Sequence, residues 1–362
     1  MPLNLTPNGP FKIAPALNLA ICWESLYEII TQSAGNLLSF NFSGIFRDNT
    51  PKFIDYNVLF FVGLELKLDN KFYPHLLDEE KLNTHLAYYL AGLIEGDGTI
   101  IVPQTERSPK GKLNYPSIQI QFDSRDLALA LVIQNTLGLG SICKYKGSNS
   151  YRLTVNSFKG LIIMVKLLNG KFKTVKIHDL HLLIDFLNNR FPDLKIVKQD
   201  LDQTPLFSSS WLSGFIDSDG HFFVRHRRAP RADVSCGFEL VQACISKKGY
   251  SKKNIMSLLA ELFQIELKER NKAYCKGKNQ YYVTWSKLEP NKIMYSYLSN
   301  YPLFSSKFLN SQDCFRVMKL IEEKVHKTEA GKDIINGIKN NMNNRRTVFV
   351  WDHLQNFYSM YK

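Results

Sequence analysis

Two nine-residue stretches constrain this chain more than any other feature. Leu90-Ala91-Gly92-Leu93-Ile94-Glu95-Gly96-Asp97-Gly98 and Leu212-Ser213-Gly214-Phe215-Ile216-Asp217-Ser218-Asp219-Gly220 match position by position, 122 residues apart. Each closes an apolar run with helical spacing, as Leu86, Leu90, Leu93 and Ile94 show in the first. Gly92/Gly96 and Gly214/Ser218 place small residues four apart on one helical face. Small side chains let two backbones approach closely, so the pattern predicts two helices packed on each other as a central seam. Each helix is expected to stop at a glycine, Gly98 or Gly220, in a left-handed cap.

The segments downstream of the two stretches repeat as well. The first copy continues with the β-branched run at Thr99–Val102, the alternating strand Ser117–Phe122, a helix over Asp126–Leu137 ending at Gly138, a hairpin pairing Ile142–Lys146 with Tyr151–Val155, and helices over Lys159–Leu168 and Lys176–Asn188. The second has strands at His221–Arg228 and Gly237–Ile245, a helix over Lys252–Phe263, strands near Glu266–Asn271 and Gln280–Ser286, and helices over Asn291–Leu298 and Ser311–Val325. The predicted class is α+β, two pseudo-symmetric αββαββα repeats joined through their first helices. The division is an N-terminal extension at 1–80, a first repeat at 81–188, a linker at 189–210, a second repeat at 211–345 and a tail at 346–362. Pro192, Pro205 and Ser208-Ser209-Ser210 mark the linker.

Charge narrows the partners. The first 80 residues hold 5 Lys/Arg against 9 Asp/Glu, and the remainder 41 against 24, in a chain of net charge +13. A folded region with that excess attracts polyanions, nucleic acid above all. A hydrophobic fraction of 44% supports a packed core rather than a disordered basic tail. The run Val58–Gly63 is far short of the roughly 20 apolar residues that a spanning helix needs, so no membrane partner is expected. Met1–Ala20 carries one basic residue, Lys12, which fits neither a secretory leader nor an Arg-rich transit peptide. If the protein acts in an organelle, synthesis there is expected. Cys22, Cys143, Cys236, Cys244, Cys275 and Cys314 include no C-x-x-C pair and are expected to be reduced, mostly buried thiols. His178 and His181 lie three apart without further ligands at zinc spacing and are expected to be structural.

The seam helices end in acids: Glu95 and Asp97, then Asp217 and Asp219. A helix C-terminus already carries partial negative charge, and a carboxylate there costs about 0.3–1 kcal/mol. Two such ends brought together repel further. A hard divalent cation relieves the repulsion, since dense oxygen charge suits Mg²⁺.

The paired stretches resemble the signature of the LAGLIDADG homing endonucleases in their two-repeat, monomeric form. The resemblance covers about Leu82 to Asn343 and leaves residues 1–80 unexplained. It implies antiparallel sheets forming a DNA-binding saddle, and an enzyme that cuts double-stranded DNA at one site with Mg²⁺ (Mn²⁺ substituting) and promotes intron homing. It makes Asp97 and Asp219 the catalytic, metal-binding acids. Gly96 and Ser218 would bring backbone carbonyls to the metal, Glu95 and Asp217 would pack or cap the seam, and Lys176 and Lys307 would support cleavage. The implied setting is a mitochondrion, with a chloroplast as the other organelle. The family also admits an RNA maturase acting on its host intron, and a DNA-binding protein that does not cut.

A two-stranded ribbon fits the DNA major groove. Outward polar strand positions, Gln119, Gln121, Arg225, Arg227 and Gln242, are therefore candidate base readers. Lys110, Lys112, Lys144, Lys146, Arg228 and Arg231 are candidate phosphate contacts, which position without specifying.

Overall fold

The structure is a computed structural model and describes residues 81–105, 107–227, 233–271 and 279–361. The N-terminal extension at 1–80, the candidate phosphate contacts Arg228 and Arg231, and the thiols Cys22 and Cys275 lie outside the described residues, as does the side chain of Arg227.

In the first half, helix α1 (Thr84–Asp97) is followed by strands β1 (Gly98–Ile101) and β2 (Ser117–Asp123), helix α2 (Leu127–Leu137), strands β3 (Ser141–Lys144) and β4 (Ser150–Val155), and helices α3 (Phe158–Leu168) and α4 (Ile177–Arg190). The second half has the same order: α5 (Trp211–Asp219), β5 (Gly220–Arg227), β6 (Asp233–Ala243), α6 (Lys253–Leu262), β7 (Lys268–Arg270), β8 (Gln280–Trp285), α7 (Leu288–Asn300) and α8 (Lys307–Glu322). One more helix, α9 (Glu329–Asn340), packs against β5. Each half contains a four-stranded antiparallel sheet, in the order β1-β2-β4-β3 and β5-β6-β8-β7. The fold is therefore the α+β pseudo-symmetric pair that the repeated sequence predicts.

The seam helices are buried almost all round, so apolar residues occupy every face of α1 rather than one stripe. Asn83 starts α1 by accepting from His85 N and Leu86 N. The close approach is read at the glycines. A Cβ on Gly92 would lie 1.9 Å from the Trp211 carbonyl oxygen, and one on Gly214 would lie 2.0 Å from that of Tyr89. Each helix thus presses a bare glycine against its partner's backbone.

The expected left-handed caps are not present. Gly98 (φ −83°, ψ 161°) and Gly220 (φ −73°, ψ 151°) are extended, because each is already the first residue of its strand. Glycine is needed there for space: a Cβ on Gly98 would sit 2.6 Å from the Ile94 backbone, and one on Gly220 would sit 2.8 Å from the Ile216 carbonyl oxygen and from the Phe238 ring. Gly138, which ends α2, does take the left-handed conformation, with φ 64°.

Residues 346–361 are packed rather than trailing. Arg346 pairs with Asp313, the His353 ring stacks on Phe308 at 4.1 Å, and Phe357 and Tyr358 set their rings against Tyr89 and Phe304. The segment reaches the start of α1, where Asn83 N donates to Met360 O and Leu82 bridges Tyr361. Of the described cysteines, Cys236, Cys244 and Cys314 are buried and Cys143 is exposed. His178 stacks on Tyr250, and His181 bonds the Gln199 carbonyl.

Candidate active site

The two acids of each motif have opposite surroundings. Glu95 is buried and its oxygens accept from Lys173 N at 2.9 Å, Thr174 N at 2.6 Å and Trp211 Nε1 at 2.6 Å. Asp217 is buried and accepts from Phe304 N at 2.8 Å, Ser305 N at 3.2 Å, the Ser305 hydroxyl and the Tyr89 hydroxyl at 2.7 Å. The pattern repeats across the seam. Each carboxylate holds the two backbone amides just ahead of a lysine-bearing helix start, and each takes an aromatic donor from the opposite seam helix. Burial pushes both carboxyls up, against the pull of these hydrogen bonds.

The loops so held deliver Lys176 and Lys307. Lys176 Nζ donates to the carbonyls of Ile94 at 2.8 Å, Gly96 at 3.4 Å and Gly98 at 2.7 Å. Lys307 Nζ donates to those of Ser218 at 2.5 Å and Ile216 at 3.3 Å. Each ammonium therefore caps the C-terminus of a seam helix, where orphan carbonyls and the helix dipole favour a cation. The unfavourable acids at these helix ends are compensated in part by lysines, which the motif alone does not reveal.

Asp97 and Asp219 stand at the adjoining tips. A Cβ on Gly96 would lie 2.9 Å from Asp219 Oδ2, and the Ser218 side chain already fills that space. Asp97 is open to solvent at the mouth of a cleft of about 300 Å³ and enclosed by protein behind, with Phe122, Asp126, Ser218 and Lys307 among the lining residues. Burial first, then the charge of Asp219, pushes the Asp97 carboxyl up to about 7, while Lys307 and Lys176 pull it down. Burial and the neighbouring Lys252 charge bring the Lys176 ammonium down to about 8.

Gln242 is a correction. It is buried on the inward face of β6, where its amide donates to Asp219 Oδ2 at 2.6 Å and its Oε1 accepts from Lys252 Nζ at 2.5 Å. Alternation along the strand turns it away from the open face on which a base reader must lie. Gln119, Gln121 and Arg225 do lie on that open face; the two glutamine amides rest on the hydroxyls of Ser117 and Ser150. Lys110, Lys112, Lys144 and Lys146 are exposed, and alternation places Lys144 on the Ile142 side of β3, opposite Cys143. Three arginines on the sheets are each stacked on an aromatic ring: Arg152 on Tyr145 at 4.1 Å, Arg225 on Phe223 at 4.0 Å and Arg270 on Tyr282 at 4.7 Å. Sequence reasoning misses Arg152, Arg270, Lys252 and Asp126. Strand alternation marks Arg152, opposite Gln121 on β2, whereas Asp126 matters through its bond from Ser306 N across the two halves and Lys252 through its bond to Gln242 within the second half.

The donor set suits a hard divalent cation. It offers two carboxylates with an excess of negative charge between them, and the Gly96 and Ser218 carbonyls close by. The lysine ammoniums already bond those two carbonyls, so a cation here would rest chiefly on Asp97 and Asp219. Mg²⁺ is commonly held by one or two carboxylates plus substrate phosphates. Among the described residues no third acid, His or Cys completes an all-protein cage.

Comparison with known proteins agrees with this geometry. The model of the LAGLIDADG endonuclease family matches residues 90–187 and 212–318. The chain is 30% identical over 328 residues to the intron-encoded DNA endonuclease aI3 of Saccharomyces cerevisiae, covering 80% of this chain and 76% of that one. It is 27% identical over 251 residues to the uncharacterized cox1 intron-2 37.2 kDa protein of Schizosaccharomyces pombe, covering 69% and 70%. The fold is similar to that of the LAGLIDADG homing endonuclease I-GzeII in complex with its DNA target, with a TM-score of 0.54 at 21% identity over 72% of this chain and 99% of that one.

Proposed function

Since this chain belongs to the LAGLIDADG endonuclease family, we propose that it is a site-specific DNA endonuclease, hydrolysing one phosphodiester bond in each strand of a duplex and so promoting the mobility of its intron. The observation that carries the reading is the meeting of Asp97 and Asp219 at two adjoining helix tips, with Lys307 and Lys176 beside them. Two equivalent acids at one place suit two scissile phosphates facing each other across a groove.

Asp97 and Asp219 would hold the divalent ion, Mg²⁺ or Mn²⁺. Bound there, it would polarise the phosphoryl oxygen and lower the pKa of the attacking water. The chain's own groups do the rest. Lys307 and Lys176 set positive charge where the transition state gathers negative charge, held in place before substrate arrives. Glu95 and Asp217 fix the loops that carry those lysines. The open sheet faces lie along the duplex, with Gln119, Gln121 and Arg225 toward base edges and Lys110, Lys112 and Lys146 toward phosphates. An organellar setting, mitochondrial above all, fits the intron-encoded relatives.

The test is incubation of the chain with duplex DNA spanning an intronless insertion site. A double-strand break is expected with Mg²⁺ or Mn²⁺ and none with EDTA. Intact DNA under both conditions overturns the reading. If the chain instead speeds splicing of the intron RNA without cutting DNA, the maturase reading replaces it.

A further inference from the structure

Asp217 holds the loop ahead of Lys307 from the seam side, through Phe304 N and Ser305 N. The C-terminal strap holds the same loop from outside. His353 Nε2 lies 3.2 Å from the Phe304 carbonyl oxygen, and a carbonyl only accepts, so this nitrogen carries the hydrogen. Burial keeps the imidazole pKa below its ordinary 6.5, which favours the neutral ring with its single N–H on that side. The same ring lies on Phe308 at 4.1 Å, with 12° between the planes. The two contacts fall on either side of Lys307 in the chain.

His353 is itself held. Phe349, Trp351 and His353 alternate along the strap and stack in turn, at 6.2 Å and 5.6 Å. The first half grips its lysine loop with other chemistry. There the linker returns to the loop, where Asp202 N donates to Phe172 O at 2.8 Å and the Asp202 carboxylate pairs with Lys173 at 2.7 Å. Lys173 corresponds to Phe304, since each gives the first of the two amides to its seam acid. Both lysine loops are therefore held between a seam acid and the segment that follows the repeat, by an ion pair in one half and by aromatic rings in the other.

We propose that His353 is a positioning residue for cleavage, its N–H fixing the Phe304–Phe308 turn so that Lys307 stays on the Ser218 carbonyl beside Asp97. This rests on the endonuclease reading above. A lysine fixed before substrate arrives stabilises the transition state without reorganisation, so loosening the turn lowers the cutting rate and leaves DNA affinity alone.

The experiment measures single-turnover cleavage of a target duplex with Mg²⁺, duplex affinity and the thermal midpoint, all on the full chain. His353→Phe keeps a ring on Phe308 and removes the N–H. His353→Gln removes the ring and keeps an N–H donor. His353→Phe should cut roughly 10-fold more slowly at unchanged affinity, the scale of one hydrogen bond, and His353→Gln should recover most of the rate. A merely structural role would follow the thermal midpoint and would not be rescued by a donor. Should His353→Phe be unfolded at the assay temperature, Phe308→Leu, which removes the ring that His353 rests on, takes its place with the same expected loss of rate. Full speed in the variant, equal loss in His353→Phe and His353→Gln, or a loss of affinity in place of rate overturns the proposal. Failure of the unmodified chain to cut overturns the endonuclease reading with it.

Discussion

Glu95 and Asp97 stand two residues apart on one helix and are used in opposite ways. Glu95 is sealed with three N–H donors, so its charge is spent inside the protein. Replacing it by Gln sets an amide N–H₂ against N–H donors, and a buried group left unmatched costs about 1–3 kcal/mol. Thermal unfolding of Glu95→Gln should show that loss as a lowered Tm. Asp97 keeps its charge in reserve. Its carboxyl is pushed up to about 7 from an ordinary value of 3.8, so the metal-free folded state binds the proton more tightly than the unfolded chain does. That contribution is complete below about pH 4 and is lost as pH rises through 7. Because the side chain is open to solvent, screening leaves about 1 kcal/mol. Asp97→Asn should therefore raise the metal-free Tm at pH 8 by about 2–4 °C and leave it nearly unchanged at pH 4, read by calorimetry. Asp97 and Asp219 are legible in the sequence because the repeat sets them in register. Gln242 is misread from sequence as a base reader: it shares the inward face of β6 with Phe238 and Leu240 by strand alternation, and its polar character alone does not record that face.

At the scale of elements, the seam is the most legible part of the molecule. A small-residue spacing that repeats 122 positions later has few other uses, and the glycines meet the opposite backbone as that spacing requires. Gly92→Ala drives a methyl group into the Trp211 carbonyl, and overpacking of this kind costs about 3 kcal/mol. The expected outcome is a lower midpoint in urea, with loss of cleavage before loss of helix content. How these helices end is not legible. A glycine after a helix reads equally as a left-handed cap or as the crowded first residue of a strand, and packing against Ile94 and Ile216 decides the matter. The sheets supply a second prediction. Arg225 is held over Phe223, which limits its freedom, and on the proposed reading its N–H edge would be offered to a base edge in the major groove. Arg225→Ala should weaken target binding by about 1–3 kcal/mol and relax the preference at one base pair, as read from a library of single-base target variants. A uniform loss across all targets would make Arg225 a phosphate contact instead.

Taken whole, the described chain is a basic body whose halves are joined by a seam, a linker and a C-terminal strap. The linker is pinned where buried Lys173 pairs with Asp202 at 2.7 Å and donates to the Thr204 carbonyl. The strap reads as a plain tail by position, although Phe349, Trp351, Phe357 and Tyr358 signal by composition that it has something to pack on. Its rings cover Phe304 and Tyr89, which flank Asp217 and hence the start of the Lys307 helix. The net positive charge predicts a steep response to salt through counterion release, with affinity for the target falling by a factor on the order of 10³ between 50 and 200 mM salt. The central claim is that Asp97 and Asp219 together form a single cutting centre for both strands. It is tested most directly by binding and cleavage assays on one target duplex with Mg²⁺, comparing the unmodified chain with Asp97→Asn and Asp219→Asn. The account predicts that both variants bind the duplex as tightly as the unmodified chain and yield no double-strand break. A variant that still produced the linear double-strand product would contradict it.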